Sequence, residues 1–182
     1  MMLTRKSSIF PENRRMPRGC EIKLKFENSD EIYVLKDMEV IKRMPLLVRA
    51  VKKKNSKWLH TRTILPDPIL IPYPKESVIF IISHIKTYRM PNEYPEKVPE
   101  NYPDAHALDL YDLRPILEAA THLEAFSLMN VAGFLIAKKL EELPVEKVAE
   151  FMGLEYVPVA NFYDEQNGWI RPSTSGSSSS TA

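Results

Sequence analysis

The first part of the chain carries the polar and apolar pattern of a β-hairpin followed by helices. Residues 21–26 alternate polar and apolar side chains strictly, as a strand with one buried face does. Residues 28–30 form a turn signal before a second apolar run at 32–35, so the pattern predicts a hairpin. From Asp37 the apolar spacing becomes helical. Pro45 interrupts that spacing and predicts two short helices, because proline is tolerated only in a first turn.

The middle of the chain mixes short apolar runs with prolines. Residues 52–63 predict a polar connection, and residues 69–71, bracketed by prolines, predict a short edge strand. Residues 78–85 contain enough β-branched side chains to favour a strand. Their apolar residues have helical spacing, however, so we predict a helix capped by Ser77. Prolines then recur every fourth residue, which predicts a loop without regular structure at 90–104.

The second half of the chain has helical spacing almost throughout. Asp112 and Ser127 are predicted to cap two successive helices. A third helix is predicted to begin at Pro144 and to end at Gly153, which suits a left-handed terminal residue. The segment 161–170 carries large apolar side chains and is followed by no segment that could cover them. Either the chain's own helices or a binding partner must do so.

Composition narrows the class of protein. The 182 residues are 44% hydrophobic and 27% charged, which predicts one or at most two small globular domains. The lone Cys20 and four scattered histidines offer no metal-binding spacing, so we predict neither a metal site nor a cofactor. The longest apolar run is far too short to span a membrane and the amino terminus has no apolar targeting segment. We therefore predict an intracellular protein, cytoplasmic or nuclear, with no membrane partner.

Charge is distributed unevenly along the sequence. Residues 1–90 hold 19 basic and 9 acidic side chains, whereas residues 91–182 hold 6 and 15. Residues 1–20 are basic without apolar periodicity and are predicted to be a disordered arm. Residues 171–182 are rich in serine and are predicted to be a disordered tail. The two halves therefore present opposite charges to partners.

The sequence offers no recognisable catalytic machinery. Five glycines build no phosphate-binding loop, and no nucleophile elbow or histidine pair is present, so we predict no catalytic residues. The acidic pairs Glu141–Glu142 and Glu146–Glu150 are predicted to lie on a solvated helix face. His122 is predicted to be a structural histidine, because neither serine nor cysteine lies at helical spacing from it.

One basic run could contact an anionic partner. Residues 52–58 contain four lysines and end in Trp58, with Arg49 before them and Arg62 after. Lysines can displace phosphate counterions and a tryptophan can stack on a base, which is the pattern of a weak nucleic-acid binder. A solvated loop or a nuclear-import signal explains the same run, and both interpretations stay open.

Four stretches carry a resemblance to a known family. They are residues 22–25, 68–72, 117–124 and 165–169. The third matches the Leu-Ala-Ala-Asn-Tyr-Leu-Asp motif of the Skp family in its alanines, leucine and acid, and the fourth matches that family's closing Glu-Asn-Gln-Trp. Over about residues 21–170 the chain thus resembles the Skp adaptors of SCF ubiquitin ligases, which have a BTB/POZ fold.

The resemblance implies an α+β fold and an adaptor function. Residues 21–125 would form a BTB/POZ-like domain containing the proline-rich loop, and residues 126–170 would form carboxyl-terminal helices that bind F-box proteins. In the family the chain is not an enzyme. It bridges F-box substrate receptors to a cullin, as the adaptor subunit of an SCF-type E3 ubiquitin ligase.

The resemblance also implies two sets of contact residues. The F-box-binding set comprises Leu140, Val148, Phe151, Met152, Leu154, Phe162, Trp169 and Ile170. The cullin-binding set comprises Tyr102, Ala105, Leu108 and Asp109. The family's Trp-Asp-x-x-Phe stretch is replaced here at residues 101–105, so cullin binding is expected to be weaker than usual. A BTB-fold protein that self-associates or acts structurally without a cullin is the main alternative, and a weak nucleic-acid binder is another.

Overall fold

The structure is a computed structural model that describes residues 19–156, 163–164 and 168–169. Its strands are β1 (Gly19–Phe26), β2 (Ser29–Leu35), β3 (Arg62–Ile64), β4 (Ile69–Ile71), β5 (Tyr163–Asp164) and β6 (Gly168–Trp169). Its helices are α1 (Met38–Lys42), α2 (Pro45–Lys54), α3 (Lys75–His84), α4 (Pro103–His106), α5 (Leu110–Leu123), α6 (Phe126–Glu141) and α7 (Val145–Met152). The fold is mixed α+β, as the sequence predicts.

The chain divides into two compact units, residues 1–139 and residues 140–182. The division falls within α6, later than the boundary at 125/126 that the sequence analysis placed before that helix. Residues 1–18 and 171–182, predicted to be a disordered arm and tail, lie outside the described residues. Gly19 and Cys20, predicted to belong to the arm, instead begin β1.

A four-stranded mixed sheet organises the first unit around β1. Strand β2 pairs with β1 antiparallel, and β3 and β4 both pair with it in parallel. The predicted alternation is confirmed, because Ile22, Leu24 and Phe26 are fully buried while the residues between them are not. The hairpin and the edge strand β4 are confirmed as well. Strand β3 lies in the stretch predicted as a polar connection, so that part of the prediction was wrong.

The first two helices follow the predicted break. Asp37 caps α1, and its carboxylate accepts hydrogen bonds from the backbone N–H groups of Glu39 and Val40 at 2.9 and 3.3 Å. Pro45 is the first residue of α2, where its missing N–H removes no helical hydrogen bond. The ambiguous segment is the helix α3, as predicted, but it begins after Pro74. Ser77 lies buried inside it and does not cap it.

The starts of α5 and α6 differ from the sequence prediction. Asp109 caps α5, accepting a hydrogen bond from the Asp112 N–H at 2.8 Å, so Asp112 lies in the first turn. Glu124 caps the carboxyl-terminal end of α5 with a left-handed φ of 58°. Helix α6 begins at Phe126, so Ser127 is inside its first turn and is not its cap.

The core of the first unit lies between the inner sheet face and the helices. Helix α5 packs against α3 and α2, and α1 packs against α2. The largest fully buried side chains are Trp58, Tyr102, Phe26, Ile22, Leu24, Ile41, Met44, Leu47, Ile71, Ile81, Ile85 and Leu113. Burial of this many large apolar groups is the dominant stabilising term for a unit of this size. No helix among the described residues has both the length and the apolar character needed to cross a bilayer.

Candidate protein-interaction sites

Helix α7 in the second unit has sharply defined ends. Pro144 precedes it, and Gly153 terminates it with a left-handed φ of 69° and a backbone N–H that donates to the carbonyls of Ala149 and Glu150. The Leu154 N–H also donates to the Ala149 carbonyl, at 2.8 Å. This pattern of hydrogen bonds ends a helix on a glycine and confirms the predicted carboxyl-terminal end. Pro144, predicted to lie in the first turn, instead immediately precedes the helix.

Helix α7 presents an apolar stripe that the described residues cover only in part. Val145, Val148, Ala149 and Met152 share one side at helical spacing, and no residue of α7 is buried. The exposed fractions of Val145, Met152 and Leu154 are 57%, 59% and 65%. Exposed apolar side chains clustered on one helix face are typical of a protein-binding surface. We call Val145, Val148, Ala149, Met152 and Leu154 the α7 stripe.

The side of α7 away from the stripe is polar. Glu146 and Glu150 of α7 are exposed, as predicted, and so are Glu141 and Glu142, which precede the helix. Lys147 pairs with Glu150 at 2.7 Å.

The rest of the predicted F-box-binding set is only partly described. Leu140 lies near the end of α6, and the side chains of Leu140, Val148 and Phe151 are half-buried. Phe162 and Ile170 lie outside the described residues. Trp169 is described by its backbone alone, which pairs with Tyr163 in the antiparallel hairpin β5–β6. Sequence analysis did not predict this pair of strands.

The predicted cullin-binding residues have different locations. Tyr102 and Ala105 are buried, at 0% and 2% exposure, so their side chains have no surface with which to contact a partner. Their assignment as direct contacts was wrong. Asp109 is exposed and caps α5, and Leu108 is half-buried just before it. Only these two members of the set reach the surface.

Leu108 lines a groove between α3 and the start of α5. The groove has a volume of about 440 Å³ and is lined by Pro74, Glu76, Ser77, Phe80, Leu108, Asp112, Pro115 and Ile116. A second hollow of about 480 Å³ shares Glu76 and Phe80 with it and continues along α3 past Ile79 to His84. We call the two together the α3 groove. It joins an apolar floor to a rim that carries carboxylates, which suits an extended or helical peptide.

A cluster of aromatic rings holds the proline-rich loop against α3. The His84 ring stacks on Phe80 with ring centres 4.2 Å apart and lies 4.8 Å from the Tyr88 ring. Its Nε2 lies 3.1 Å from a carboxylate oxygen of Asp104, and the Tyr88 hydroxyl donates to the same oxygen at 3.3 Å. These contacts fix the helix α4 beside the α3 groove.

Tyr102 anchors the same loop from inside. Its hydroxyl donates to the Arg89 carbonyl at 3.0 Å, and its ring contacts the rings of Tyr88, Tyr94 and Phe134. Burial, followed by the nearby Tyr94 and Glu93, raises the pKa of Tyr102 to about 12. The loop contains two 3₁₀ turns and α4 where irregular structure was predicted, with a proline as the first residue of each.

The basic run is a structured turn, and its aromatic residue is not accessible. The Asn55 amide donates to the hydroxyl oxygens of Thr61 and Thr63 at 2.7 and 2.8 Å, which holds the turn closed. Trp58 is only 2% exposed. It therefore offers no face on which a base could stack, and that part of the nucleic-acid hypothesis was wrong. The lysines at 52–54 and 57 are exposed.

Few side chains among the described residues are suited to metal binding or catalysis. No cluster of three or more histidine, cysteine or acidic side chains among them could hold a metal ion. Cys20 is buried, and burial raises the pKa of its thiol, which disfavours the reactive thiolate. His122 is half-buried with its ring 5.5 Å from Tyr73, consistent with the predicted structural histidine.

Comparison with known proteins adds no relatives. A scan against protein-family models finds no matching family, and a search of curated proteins finds no significant match. The α7 stripe and the α3 groove are therefore interpreted from their own residues and geometry.

Proposed function

We propose that this chain is a non-catalytic adaptor of the Skp type, which bridges F-box substrate receptors to a cullin in an SCF-type E3 ubiquitin ligase. Residues 21–125 would be the BTB/POZ-like part and the carboxyl-terminal residues the F-box-binding part. The mixed α+β fold, with its four-stranded sheet and its helices, is compatible with that arrangement. The four motif stretches of the sequence support the choice of family.

The observation that carries the proposal is the exposed α7 stripe. The α7 stripe is only partly covered in the described chain: Val145, Met152 and Leu154 are mostly exposed and no residue of α7 is fully buried, so the stripe contributes little to folding there. Such a face is stabilising only when a partner covers it. The F-box is a helix bundle in the family that this chain resembles, and helix-against-helix contact is what the stripe supports.

The α3 groove supports a second and weaker contact, with the cullin. Leu108 and Phe80 supply its apolar floor, and Glu76 and Asp112 supply carboxylates. Because the aromatic pair of the family is absent and Tyr102 is internal, few anchoring side chains remain. We therefore expect a cullin segment with apolar and basic side chains to bind there weakly.

The F-box contact is tested by one substitution in the α7 stripe and one matched control. Met152→Lys and Glu146→Gln each raise the charge of α7 by one, but only Met152 lies in the stripe. Calorimetric titration with an isolated F-box domain should show at least tenfold weaker binding for Met152→Lys, about 1.4 kcal/mol or more, and near wild-type binding for Glu146→Gln. Equal affinities for the two variants, or no binding by wild type, would contradict the proposal.

The cullin contact has its own test. Leu108→Lys should weaken binding of a cullin amino-terminal domain, whereas Leu59→Lys, on the turn at residues 56–60, should not. F-box binding should be equal in both variants, which separates failure of the cullin contact from failure of the adaptor proposal. If the chain binds F-box domains and no cullin, the structural or self-associating alternative gains support instead.

A further inference from the structure

One surface of the first unit carries cations that no carboxylate of the described residues pairs with. Residues 40–66 hold eight lysine and arginine side chains and no aspartate or glutamate. Three of the eight have partners in the fold, and these are Lys42, Arg43 and Arg49. The other five are exposed, and their side chains make no hydrogen bond or ion pair with any described residue. We call these five the lysine patch: Lys52, Lys53, Lys54, Lys57 and Arg62.

Hydrogen bonds hold the lysine patch on one ordered segment. Residues 52–54 form the last turn of α2. The Asn55 amide donates to the hydroxyl oxygens of Thr61 and Thr63, and its side-chain oxygen accepts from the Lys57 N–H at 3.0 Å. The Thr61 hydroxyl donates to the Lys57 carbonyl at 3.1 Å. The turn therefore returns the chain to the end of α2, so the cations beyond the helix lie beside those on it and little backbone ordering is needed on binding.

The carboxylates nearest to the lysine patch leave most of its charge uncompensated. Both terminal nitrogens of Arg49 already bind Glu124, at 2.6 and 2.5 Å. Asp67 lines a hollow of about 280 Å³ together with Lys53 and Lys54, but it forms no ion pair with either. The helix dipole favours lysines in the last turn of α2, which explains neither of the two cations beyond the helix. Five cations thus face a single unpaired carboxylate.

The residue types of the lysine patch distinguish between classes of anionic partner. Protein–protein interfaces are depleted in lysine and enriched in aromatic residues, whereas four of these five cations are lysines. Single-stranded nucleic acid gains affinity by stacking on exposed rings, and a membrane surface by taking up large apolar side chains. Trp58 is enclosed and Leu59 is only 40% exposed, so the turn is poorly suited to either. The phosphates of a duplex need cations alone.

We infer that the lysine patch binds the phosphate backbone of a nucleic-acid duplex without reading its base sequence. A DNA duplex carries about one negative charge per 1.7 Å of its axis, and each phosphate that a lysine neutralises releases condensed counterions. The patch contains no residue of the α7 stripe or of the α3 groove. The inference therefore goes beyond the proposed adaptor function and does not depend on it.

Fluorescence anisotropy of the full chain with labelled DNA duplexes of about 20 base pairs tests the inference. Two duplexes of unrelated sequence should bind with dissociation constants within about threefold of each other, and a single strand of equal length should bind more weakly. Up to five phosphate contacts predict that the logarithm of the binding constant falls against the logarithm of salt concentration with a slope of about −3 to −4.5. A slope near zero, or tighter binding of the single strand, would contradict the inference.

Two variants with the same net charge locate the contact. The patch variant combines Lys52→Gln, Lys53→Gln, Lys54→Gln and Lys57→Gln. The control variant combines the same change at four lysines that already pair with carboxylates, Lys25, Lys36, Lys75 and Lys86. The patch variant should raise the dissociation constant at least tenfold and flatten the salt slope by about 2 to 3.6, while the control variant stays within about threefold of wild type. Equal affinities of the two variants would overturn the inference.

A second measurement uses wild type alone and so does not depend on a substituted chain folding. Lysines are acetylated chemically with and without a saturating DNA duplex, and mass spectrometry reads the modified positions. The duplex should protect Lys52, Lys53, Lys54 and Lys57 and leave Lys25 reactive. Protection confined to lysines outside the patch would overturn the inference. So would protection of the patch by phosphatidylserine vesicles or polyglutamate but not by the duplex, which would indicate a membrane or an acidic protein instead.

Discussion

Apolar periodicity is equally clear in the first unit and in α7, but the apolar side chains are buried in the first unit and largely exposed in α7. In β1, α3 and α5, the apolar positions are buried, and Leu24, Ile81 and Leu113 have no exposed surface. In α7, the same kind of spacing leaves Val145 and Met152 more than half exposed. Periodicity therefore identifies an apolar face but not what covers it. The first kind of face stabilises the fold, and the second is available to a partner.

The largest expected difference between the regions is in stability. Leu24→Ala removes a buried side chain and should lower the free energy of unfolding by about 2–5 kcal/mol. Leu154→Ala makes the same chemical change at a mostly exposed position and should change it by less than about 0.5 kcal/mol. Urea denaturation of the two variants measures both values. A cost for Leu154→Ala close to that of Leu24→Ala would show that the α7 stripe is part of a core.

The buried Tyr102 predicts a pH dependence that is specific to the first unit. Its pKa is raised from 10.0 to about 12 in the folded chain, chiefly by burial. Below pH 10 both the folded and unfolded chains keep the proton, so the stability that Tyr102 contributes is fully present. As the pH rises towards 12, the unfolded chain ionises first and that stability is lost.

The pH prediction is tested by comparison with Tyr102→Phe. The free energy of unfolding of wild type should fall more steeply between pH 10 and 12 than that of the variant. Near neutral pH the variant should be less stable by about 1 kcal/mol, because the Arg89 carbonyl loses its hydrogen bond. Parallel pH profiles for the two proteins would mean that Tyr102 is accessible to solvent, and its assignment as a cullin contact would be open again.

A smaller effect separates the structural role of Asp109 from a binding role. Asp109→Ala removes the cap of α5 and should lower the free energy of unfolding by about 1 kcal/mol, whereas Asp109→Asn retains the cap and should cost a few tenths. Thermal unfolding measures both. If Asp109→Asn weakened cullin binding with no loss of stability, Asp109 would contact the cullin as well as cap the helix.

Much of the fold could be predicted from residues with strong local effects. The alternation that ends at Phe26, the break at Pro45 and the stop at Gly153 each depend on neighbouring residues alone, and the structure confirms all three. The start of α5 was misplaced because two acids compete for the cap. Asp109 precedes Asp112 by three residues, and its carboxylate accepts the Asp112 N–H. Strand β3 was missed because its pairing with β1 is long-range.

The candidate sites were less predictable than the fold. The α7 stripe follows from spacing, but its exposure depends on what packs against it, which no local pattern records. Tyr102 was assigned to the surface by alignment with a motif, in a loop where no periodicity distinguishes inside from outside. Trp58 was likewise expected to be exposed, because the adjacent lysines gave no sign that the turn after them encloses it.

Amide hydrogen exchange with and without an isolated F-box domain tests most directly the claim that the α7 stripe is a partner-binding surface. We predict that peptides covering α7 (Val145–Met152) and Leu154 exchange more slowly when the F-box domain is added, while those covering β1 and α5 are unchanged. Unchanged exchange across α7 at saturating F-box domain, or protection confined to the first unit, would contradict the account.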